Sequence, residues 1–276
     1  MSALCQRYGV SRAGFYSWRR RGESAHAEQD RQLTAEITRR FAAHQERYGS
    51  PRIHRVLRAT GWVVSRRRVA RLMREAGLRA KAVRGYRSKA QLRRQYAQHP
   101  NRLWTATVDR PNQVWVGDIT YLRVGTGWRY LAVVMDQYSR RILAWTLTRQ
   151  RTAAVTCGVL TRAARARGMF GARGGGVIFH SDRGSEYMGA PFCAQLATQL
   201  AHLGFAQSAS VRGPGDNAHM ESFFHSLKAE LTRGVVFTND RQLRAALQQY
   251  LHYSNTTRLH SSLGYRSPLA FEQQTA

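Results

Sequence analysis

Three carboxylates in the second half of the chain occupy positions where a charge is costly. Asp118 lies inside the apolar string VWVGDITYL, and Asp182 ends the string VIFHSD. Glu221 lies about one turn into a predicted helix, next to two phenylalanines. An ionised carboxylate in such surroundings needs a cation or hydrogen-bond donors. Taken singly, each acid fits a buried salt bridge better than a metal site, but three of them in a strongly basic chain indicate a shared cation site.

Such a set of acids favours phosphoryl-transfer chemistry. Two strands and a helix can bring three side chains to one point, and carboxylate oxygens suit hard cations such as Mg²⁺ or Mn²⁺. Two ions about 4 Å apart can hold the attacking and leaving oxygens of an in-line displacement at phosphorus. We therefore predict that Asp118, Asp182 and Glu221 are catalytic residues that bind two divalent metal ions.

Polar residues near these acids are candidates for supporting roles. Lys228 follows Glu221 by seven positions, on the same face of a helix, so it fits either a residue that holds a phosphate or an ordinary exposed lysine. Asn217 fits a DNA contact or a helix N-cap equally well. His180 lies two positions before Asp182 and fits either a residue behind the metal ligands or a hydrogen-bonded core histidine.

The charge of the chain indicates a polyanionic partner. There are 44 lysines and arginines against 16 acids, a formal net charge of +28. Such a field attracts nucleic acid, whose phosphates release counterions when basic side chains bind them. A membrane partner is not expected, because no apolar run approaches the roughly 20 residues of a bilayer span. Residues 1–100 hold 24 basic and 6 acidic side chains, so the first third is the expected DNA-binding part.

That first third is predicted to be helical. A short helix precedes Gly9, and Ser11 caps a second helix that runs to about Arg20. Further helices are expected over about 31–44, after an N-cap at Ser50, and after an N-cap at Ser65. The last helix carries five arginines and is more compatible with a major-groove helix than with a solvated basic face. These five candidate DNA-binding residues are Arg66, Arg67, Arg68, Arg71 and Arg74.

From Pro111 onward the pattern changes to strands and helices. A buried strand around Asp118 is followed by a hairpin that turns near Asp136–Arg140, where Asp136 is expected to shape the turn. The later polar segment with Asn255, Arg258, His260 and Ser261 fits either DNA contacts or a cap on the core. The remaining elements are a helix over 152–167, the strand GGVIFHSD, a helix over 191–203, a strand over 205–208, and helices over 217–231 and 239–253. This order indicates a mixed sheet with helices packed on it.

Several strings resemble a known family. The catalytic-core strings are VWVGDITYL, FHSDRGSEY and DNAHMESFFHSLKAEL, the C-terminal string is HYSNTTRLHSSLGYRSPLAF, and the DNA-binding strings are YGSPRIHRVL and SRRRVARLMREAGLRA. Together they resemble DDE transposases with an integrase catalytic core, and most of all the second-frame product of the insertion-sequence-three family. The resemblance implies an RNase H-like fold with Asp118, Asp182 and Glu221 as the metal-binding triad, and it favours a DNA-phosphate contact for Lys228 over an ordinary exposed lysine. It also implies a homo-multimer on DNA and an upstream-frame protein as partner.

Two features depart from the family pattern. Between Asp182 and Glu221 there are 38 residues, about three more than the family typically has, and we expect the surplus in the string CAQLATQLAHLG. Glu186 stands where the family more often has glutamine, which adds an acid near the site. Neither feature needs to move the triad.

The predicted organisation has four parts. Residues 1–25 are a partial helix-turn-helix that continues from an upstream frame, 28–80 a helix-turn-helix module, 81–107 a basic linker, and 108–276 an α/β catalytic core with a helical tail. Three distant cysteines without a CxxC pair indicate a reducing, cytosolic compartment and no structural zinc site. With the family resemblance, the expected location is the bacterial cytoplasm, in association with the nucleoid. The expected function is metal-dependent cleavage at insertion-sequence ends followed by strand transfer. The alternatives are a non-catalytic DNA-binding regulator and an RNase H-like nuclease without strand transfer.

Overall fold

The chain divides into two compact units, residues 1–81 and residues 82–276. The computed structural model describes residues 2–20, 24–81, 101–169, 176–196, 204–210 and 217–275. Most of the predicted linker, residues 82–100, therefore lies outside the described part. Among the described residues, no helix combines the length and the apolar character that crossing a bilayer requires.

The first unit is helical throughout its described residues. Its helices are α1 (Ser2–Arg7), α2 (Arg12–Arg20), α3 (Ala25–Ala43), α4 (Ser50–Ala59) and α5 (Arg66–Glu75). Helices α3, α4 and α5 each turn one apolar stripe inward, because apolar residues recur every three or four positions. The inward side chains that are buried are Leu33, Ile37, Phe41, Ile53, Leu57, Val69, Leu72 and Met73.

Most of the helix ends in the first unit are formed by the capping residues that the sequence predicts. The Ser65 hydroxyl accepts a hydrogen bond from the backbone N–H of Arg68, as an N-cap does. Gly9 has a positive φ of 63° at the end of α1, a conformation that costs glycine little. The predicted N-cap at Ser50 is wrong by one residue. Gly49 has the extended N-cap backbone, Ser50 is the first helical residue, and Pro51 follows where its missing N–H costs nothing.

The second unit is built around one mixed sheet of five strands. They are β1 (Val114–Val124), β2 (Gly127–Asp136), β3 (Ile142–Thr148), β4 (Ile178–Ser181) and β5 (Ala206–Ala209). The strand order is β3-β2-β1-β4-β5, in which β1, β2 and β3 are antiparallel and β4 and β5 run parallel to β1. Strand β1 therefore lies in the middle of the sheet, and both of its faces are covered, as its apolar pattern predicts.

Alternate residues of the central strands pack into two separate cores. On one face, Val114 and Val116 of β1 pack with helices α9 (Ala218–Leu227) and α10 (Asp240–Thr256). On the other face, Trp115 of β1 packs with α6 (Ala153–Ala166) and with Phe179 of β4. Because side chains alternate along a strand, Asp118 shares the face of Val116 and is directed toward α9. Each fully buried Val, Leu or Phe contributes about 1.5–3 kcal/mol to folding.

Several element boundaries differ from the prediction. The expected helix 217–231 is an α-helix only to Leu227, and Lys228–Thr232 form a wider π-helical turn. That turn coincides with the burial of Glu230, whose carboxylate pairs with the Arg258 guanidinium at 2.6 Å. The expected helix 191–203 is described only as α8 (Ala190–Gln195), preceded by the short helix α7 (Ser185–Met188).

The two ends of the second unit also pack on the core. Residues 102–104 form a short 3-10 helix, and the Arg102 N–H donates to the Ser208 hydroxyl of β5 at 2.9 Å, so the predicted linker ends before this point. In the last turn of α10, the Asn255 side chain accepts from the Ile142 N–H and donates to the Ile142 carbonyl at the sheet edge. Arg258 is buried as well. The contacts of Asn255 and Arg258 therefore fit the alternative of a cap on the core for these two residues.

Candidate active site

Asp118 and Asp182 are brought together by the register of two parallel strands. Gly117 of β1 pairs with Ser181 of β4, and the two aspartates are the next residue on each strand. Neighbouring strands lie roughly 4.8 Å apart, so the two carboxylates start from adjacent backbone positions. Glycine is required at position 117, since a Cβ there would lie 2.5 Å from Cζ of Phe179.

Helix α9 is attached to the same point of β1. The Asn217 side chain precedes α9, is buried, and donates from Nδ2 to the Gly117 carbonyl at 3.3 Å. Glu221 follows one turn later, and Met220 and Phe224 pack α9 onto the sheet. Asn217 makes no side-chain cap hydrogen bond with the helix. The hydrogen bond to β1 gives Asn217 a third role, beside the DNA contact and the helix N-cap that the sequence leaves open. It fixes the start of α9, and with it Glu221, on the strand that carries Asp118.

The electrostatics of these acids show that they repel one another. Burial, followed by the charges of Asp182, Glu186 and Glu221, raises the pKa of Asp118 to about 8, although the Ile119 N–H donates to its carboxylate at 2.7 Å. Burial and Glu186 also raise the pKa of Asp182, against the opposing effects of the Gly184 N–H and Arg151. Burial raises the pKa of Glu221, and the charge of His225 opposes it.

Two neighbours of the acids come from the FHSDRGSEY string. Glu186 is buried and lies 3.5 Å from the Arg151 guanidinium, and it acts on both aspartates. Tyr187 is buried beside them, and burial, with the charges of Asp118 and Asp182, raises the pKa of its phenol. Sequence reasoning noted Glu186 because of its departure from the family pattern. It missed Tyr187, whose aromatic character gives no signal of its own beyond a core residue.

Lys228 is near enough to the acids for the charge of Asp118 to act on it. Its backbone keeps helical angles, so it remains on the flank of α9 that carries Glu221. Its ammonium lies 4.7 Å from the centre of the Tyr121 ring, a cation–π contact. Burial lowers its pKa, and the charge of Asp118 opposes that shift. Lys228 is therefore partly buried beside the acids and is not an ordinary exposed lysine.

His180 lies on β4, next to the edge strand β5. It is fully buried, and its two ring nitrogens lie 2.9 Å and 3.2 Å from the hydroxyls of Ser208 and Ser210. Both serines belong to β5 or the residue after it. These contacts fit the alternative of a hydrogen-bonded core histidine that joins β4 to β5.

The five arginines of α5 divide into two groups. The Asp30 carboxylate of α3 pairs with Arg68 at 2.7 Å and with Arg71 at 2.6 Å, so these two arginines also hold α5 against α3. The other three lie on the exposed surface of the first unit, without an ion-pair or hydrogen-bond partner for their side chains among its described residues. They are Arg66, Arg67 and Arg74.

The arrangement can concentrate negative charge, and a cation would relieve it. Among the described residues, no group of three or more His, Cys, Asp or Glu side chains is arranged to hold a metal ion as it stands. The contacts nevertheless bring together acids from β1, the end of β4, and α9 on one side of the sheet. Carboxylates that repel one another in this way bind divalent cations through oxygen.

Comparison with known families gives the same division of the chain. Residues 28–87 match the family described as "HTH-like domain". Residues 108–214 and 221–276 each match a family described as "Integrase core domain". Together with the mixed five-stranded sheet, these matches define an RNase H-like integrase core preceded by a helical DNA-binding type of domain. This combination places the chain in the class of integrase-type recombinases.

Similar proteins narrow the class. The chain is 37% identical over 284 residues to "Transposase InsF for insertion sequence IS3A" of Escherichia coli (strain K12), across 99% of this chain and 94% of that protein. It is 35% identical over 275 residues to "Insertion element IS600 uncharacterized 31 kDa protein" of Shigella sonnei, across 98% of both. The chain therefore belongs to the family of IS3-type insertion-sequence transposases, and its function is that of a transposase.

The chain is also similar to catalytic domains among the solved structures. The HTLV-2 integrase catalytic core domain in its trimeric form is 14% identical, with a TM-score of 0.42, over 59% of this chain and 97% of that one. The catalytic domain of Mos1 mariner transposase is 17% identical, with a TM-score of 0.40, over 51% and 70%.

Proposed function

We propose that this transposase cuts phosphodiester bonds at the ends of an insertion sequence and joins the exposed 3′-OH to a second DNA site. The observation that carries the proposal is the register of β1 and β4, which puts Asp118 beside Asp182. Asn217 adds support because it ties the start of α9, and with it Glu221, to the same strand.

The three acids are proposed to hold two divalent ions, Mg²⁺ or Mn²⁺. The donor set fits, because it is made of carboxylates whose pKa values are all raised by burial, with the charges of neighbouring acids adding to the shift at Asp118 and Asp182. Such ions, when bound, stabilise the charge on the attacking and leaving oxygens of phosphoryl transfer. Glu186 is the fourth acid at this site, and its contact with Arg151 keeps part of its charge compensated.

The remaining site residues are proposed to bind and orient DNA. The Lys228 ammonium is held beside the acids by the Tyr121 ring, where it can bind a phosphate next to the reacting one. In the first unit, the three exposed arginines of α5 are proposed to contact a DNA duplex, with α5 as the major-groove helix. Two DNA ends must be joined in one reaction, so we propose a homo-multimer on DNA, and an upstream-frame protein as a further partner.

The proposal is tested with the full chain and a duplex that carries the inverted repeats flanking its gene. With Mg²⁺ we expect both nicked and joined products, and with EDTA neither. A substrate that already ends in the 3′-OH should be joined without a prior cut. Nicking without joined products would favour a nuclease, and DNA binding without nicking would favour a regulator.

The DNA-binding role of α5 has its own test. Arg67→Ala removes an exposed charge, and Arg68→Ala removes one that pairs with Asp30. If α5 contacts phosphates, Arg67→Ala should reduce the slope of log affinity against log salt by about one and leave the folded state intact. An unchanged affinity and slope for Arg66→Ala, Arg67→Ala and Arg74→Ala would remove α5 from the DNA interface.

A further inference from the structure

A cavity of about 270 Å³ lies in the second unit, between α9, α10 and the segment that follows α10. Its base is buried and includes Tyr250, Ser254 and Arg258. Its rim is exposed and carries hydroxyls from Ser222 and Ser262. The cavity is therefore polar at its opening and has room for a small anion with water.

This cavity is on the flank of α9 opposite the candidate active site. At 100° per residue, the lining residues His219, Ser222 and Ser226 fall within about 60° of one another around the helix. Glu221 and Lys228 fall on the other flank, about 160–200° from His219. A helix is about 10 Å across, so a group bound in the cavity is separate from one bound at the three acids.

Arg140 contributes a guanidinium to the cavity, and the nearby charge of Asp136 acts on it. Its Nη1 is buried and has no hydrogen-bond partner among the residues that the structure describes. The other arginine of the lining, Arg258, is paired with Glu230 at 2.6 Å. The nearby acid Asp136 is not a hydrogen-bond partner of the Arg140 Nη1. Its carboxylate instead accepts hydrogen bonds from three backbone N–H groups, those of Asn112, Tyr138 and Ser139.

The backbone at Arg140 shows that its position is imposed by the fold. Its φ is 63°, in the left-handed region that arginine rarely adopts, and its N–H donates to the Asp136 carbonyl at 2.9 Å. A non-glycine residue stays in this conformation only where the surroundings determine it, and such residues cluster at binding sites. The turn after β2 therefore holds a guanidinium at the edge of a hydroxyl-lined cavity.

We propose that this cavity binds a phosphate group through Arg140, with the cavity hydroxyls as further donors. A planar guanidinium forms paired hydrogen bonds with phosphate oxygens, and serine hydroxyls complete a tetrahedral set of donors. The source of the phosphate rests on the proposed function. In the working complex it is the DNA backbone, at a position away from the reacting bond, and the alternative source is free phosphate.

The first measurement uses inorganic phosphate and the full chain in calorimetric titrations. Arg140→Gln should weaken binding by about tenfold or more, the scale of a lost charged hydrogen bond. Arg241→Gln is the matched control, because it removes one exposed charge from α10, nine residues before Tyr250, and should change affinity less than about twofold. Ser262→Glu, an exposed rim position, should weaken binding without touching the core. Wild-type affinity in folded Arg140→Gln and Ser262→Glu proteins would overturn the proposal.

The second measurement identifies the source of the phosphate. Single methylphosphonate substitutions along the duplex end remove one backbone charge at a time. We expect one position, away from the cut bond, at which the substitution lowers the affinity of the wild-type protein for the duplex about tenfold. The same substitution should leave the affinity of the Arg140→Gln protein unchanged. Phosphate binding without such a position would overturn the assignment to DNA. The result is separate from the proposed function, since nicking and joining by the wild type are measured on the unmodified duplex.

Discussion

Buried acids near the end of the second unit are matched with donors. Glu230 accepts from the Arg258 guanidinium at 2.6 Å and from the Tyr250 hydroxyl at 3.0 Å. Burial alone would lower the pKa of Arg258, but its hydrogen bond and ion pair with Glu230 raise it above the usual value. Glu272 behaves in the same way: burial favours its neutral form, yet Arg167, Ser139 and Arg141 lower its pKa.

The two aspartates of the candidate active site, Asp118 within β1 and Asp182 directly after β4, lack such partners. Asp118 and Asp182 each accept one hydrogen bond from a nearby backbone N–H, and no arginine or lysine pairs with them among the described residues. Their pKa values are raised. With 44 basic side chains in the sequence, the fold has arginines enough to neutralise both acids, as it does for Glu272. The comparison teaches that an acid which serves only the fold is paired, and that an unpaired cluster marks a place for a cation from outside.

Removing a triad carboxylate should separate activity from stability. Asp118→Asn and Asp182→Asn are each expected to reduce DNA cleavage by at least about a thousandfold, the scale of losing a group that stabilises developing charge. The free energy of unfolding should stay the same or rise, because a repelled charge is removed. Cleavage of end-labelled duplex and urea unfolding measure the two effects. Asp109→Asn, an exposed acid of the same unit, is the control. Near-normal cleavage by either variant would remove that aspartate from the triad.

Breaking a paired acid should have the opposite outcome. Glu230→Gln leaves the Arg258 guanidinium buried without its counter-ion, so we expect the free energy of unfolding to fall by about 3–5 kcal/mol. Urea unfolding followed by circular dichroism measures it. Asp240→Asn removes the partner of Arg129 and Arg149 near the surface, and its effect should be much smaller. Equal effects of the two substitutions would show that burial does not distinguish these pairs.

The sequence predicts those features of the fold and of the candidate site that depend on residues close together in the chain. The apolar strings around Asp118 and Asp182 predict β1 and β4, because strand-forming residues there cover both faces of a central strand. The same strings also mark the two aspartates as costly charges. The Ser65 cap of α5 depends on a hydroxyl and an N–H three residues apart, and it too is predicted.

Long-range pairings are where sequence reasoning stops. Nothing near Asn217 indicates that its amide binds the Gly117 carbonyl, one hundred residues away. The pairing of Glu230 with Arg258 is equally hidden, so the π-helical turn at 228–232 and the burial of Arg258 could not be predicted. These contacts depend on which elements the fold brings together, and periodicity within one element carries no such information.

The single lysine beside the acids tests whether a cation of the chain assists the site. Lys228→Ala should weaken binding of the element's end and slow strand transfer by about tenfold, the cost of one charged hydrogen bond, without loss of fold. Lys228→Arg should restore only part of the activity. It keeps the positive charge, but a planar guanidinium does not fit a single phosphate contact in the way that the compact lysine ammonium does. Arg241→Ala provides a control for charge alone. If folded Lys228→Ala protein carries out strand transfer at the wild-type rate, Lys228 does not bind a phosphate at the site. The Tyr121 ring would then be the only known contact of its ammonium among the described residues.

The unpaired acids are also expected to make the stability of the folded protein depend on pH. The pKa of Asp118 is raised from 3.8 to about 8 in the folded protein. Between these values the folded state holds a proton that the unfolded state has lost, so stability is full below the lower value and falls as pH rises toward 8. One such group contributes at most about 1.4 kcal/mol per pH unit, and less where water screens the charge.

Urea unfolding of the metal-free protein from pH 5 to pH 8 measures this slope. Asp118→Asn should flatten this slope, because the group that binds the proton is gone. Mg²⁺ should flatten the wild-type slope as well, since a bound cation favours the ionised carboxylate. Asp109→Asn should keep the wild-type slope, as its carboxylate is exposed. Parallel slopes for wild type and Asp118→Asn would mean that Asp118 is already compensated, and the contrast with the paired acids would be lost at that residue.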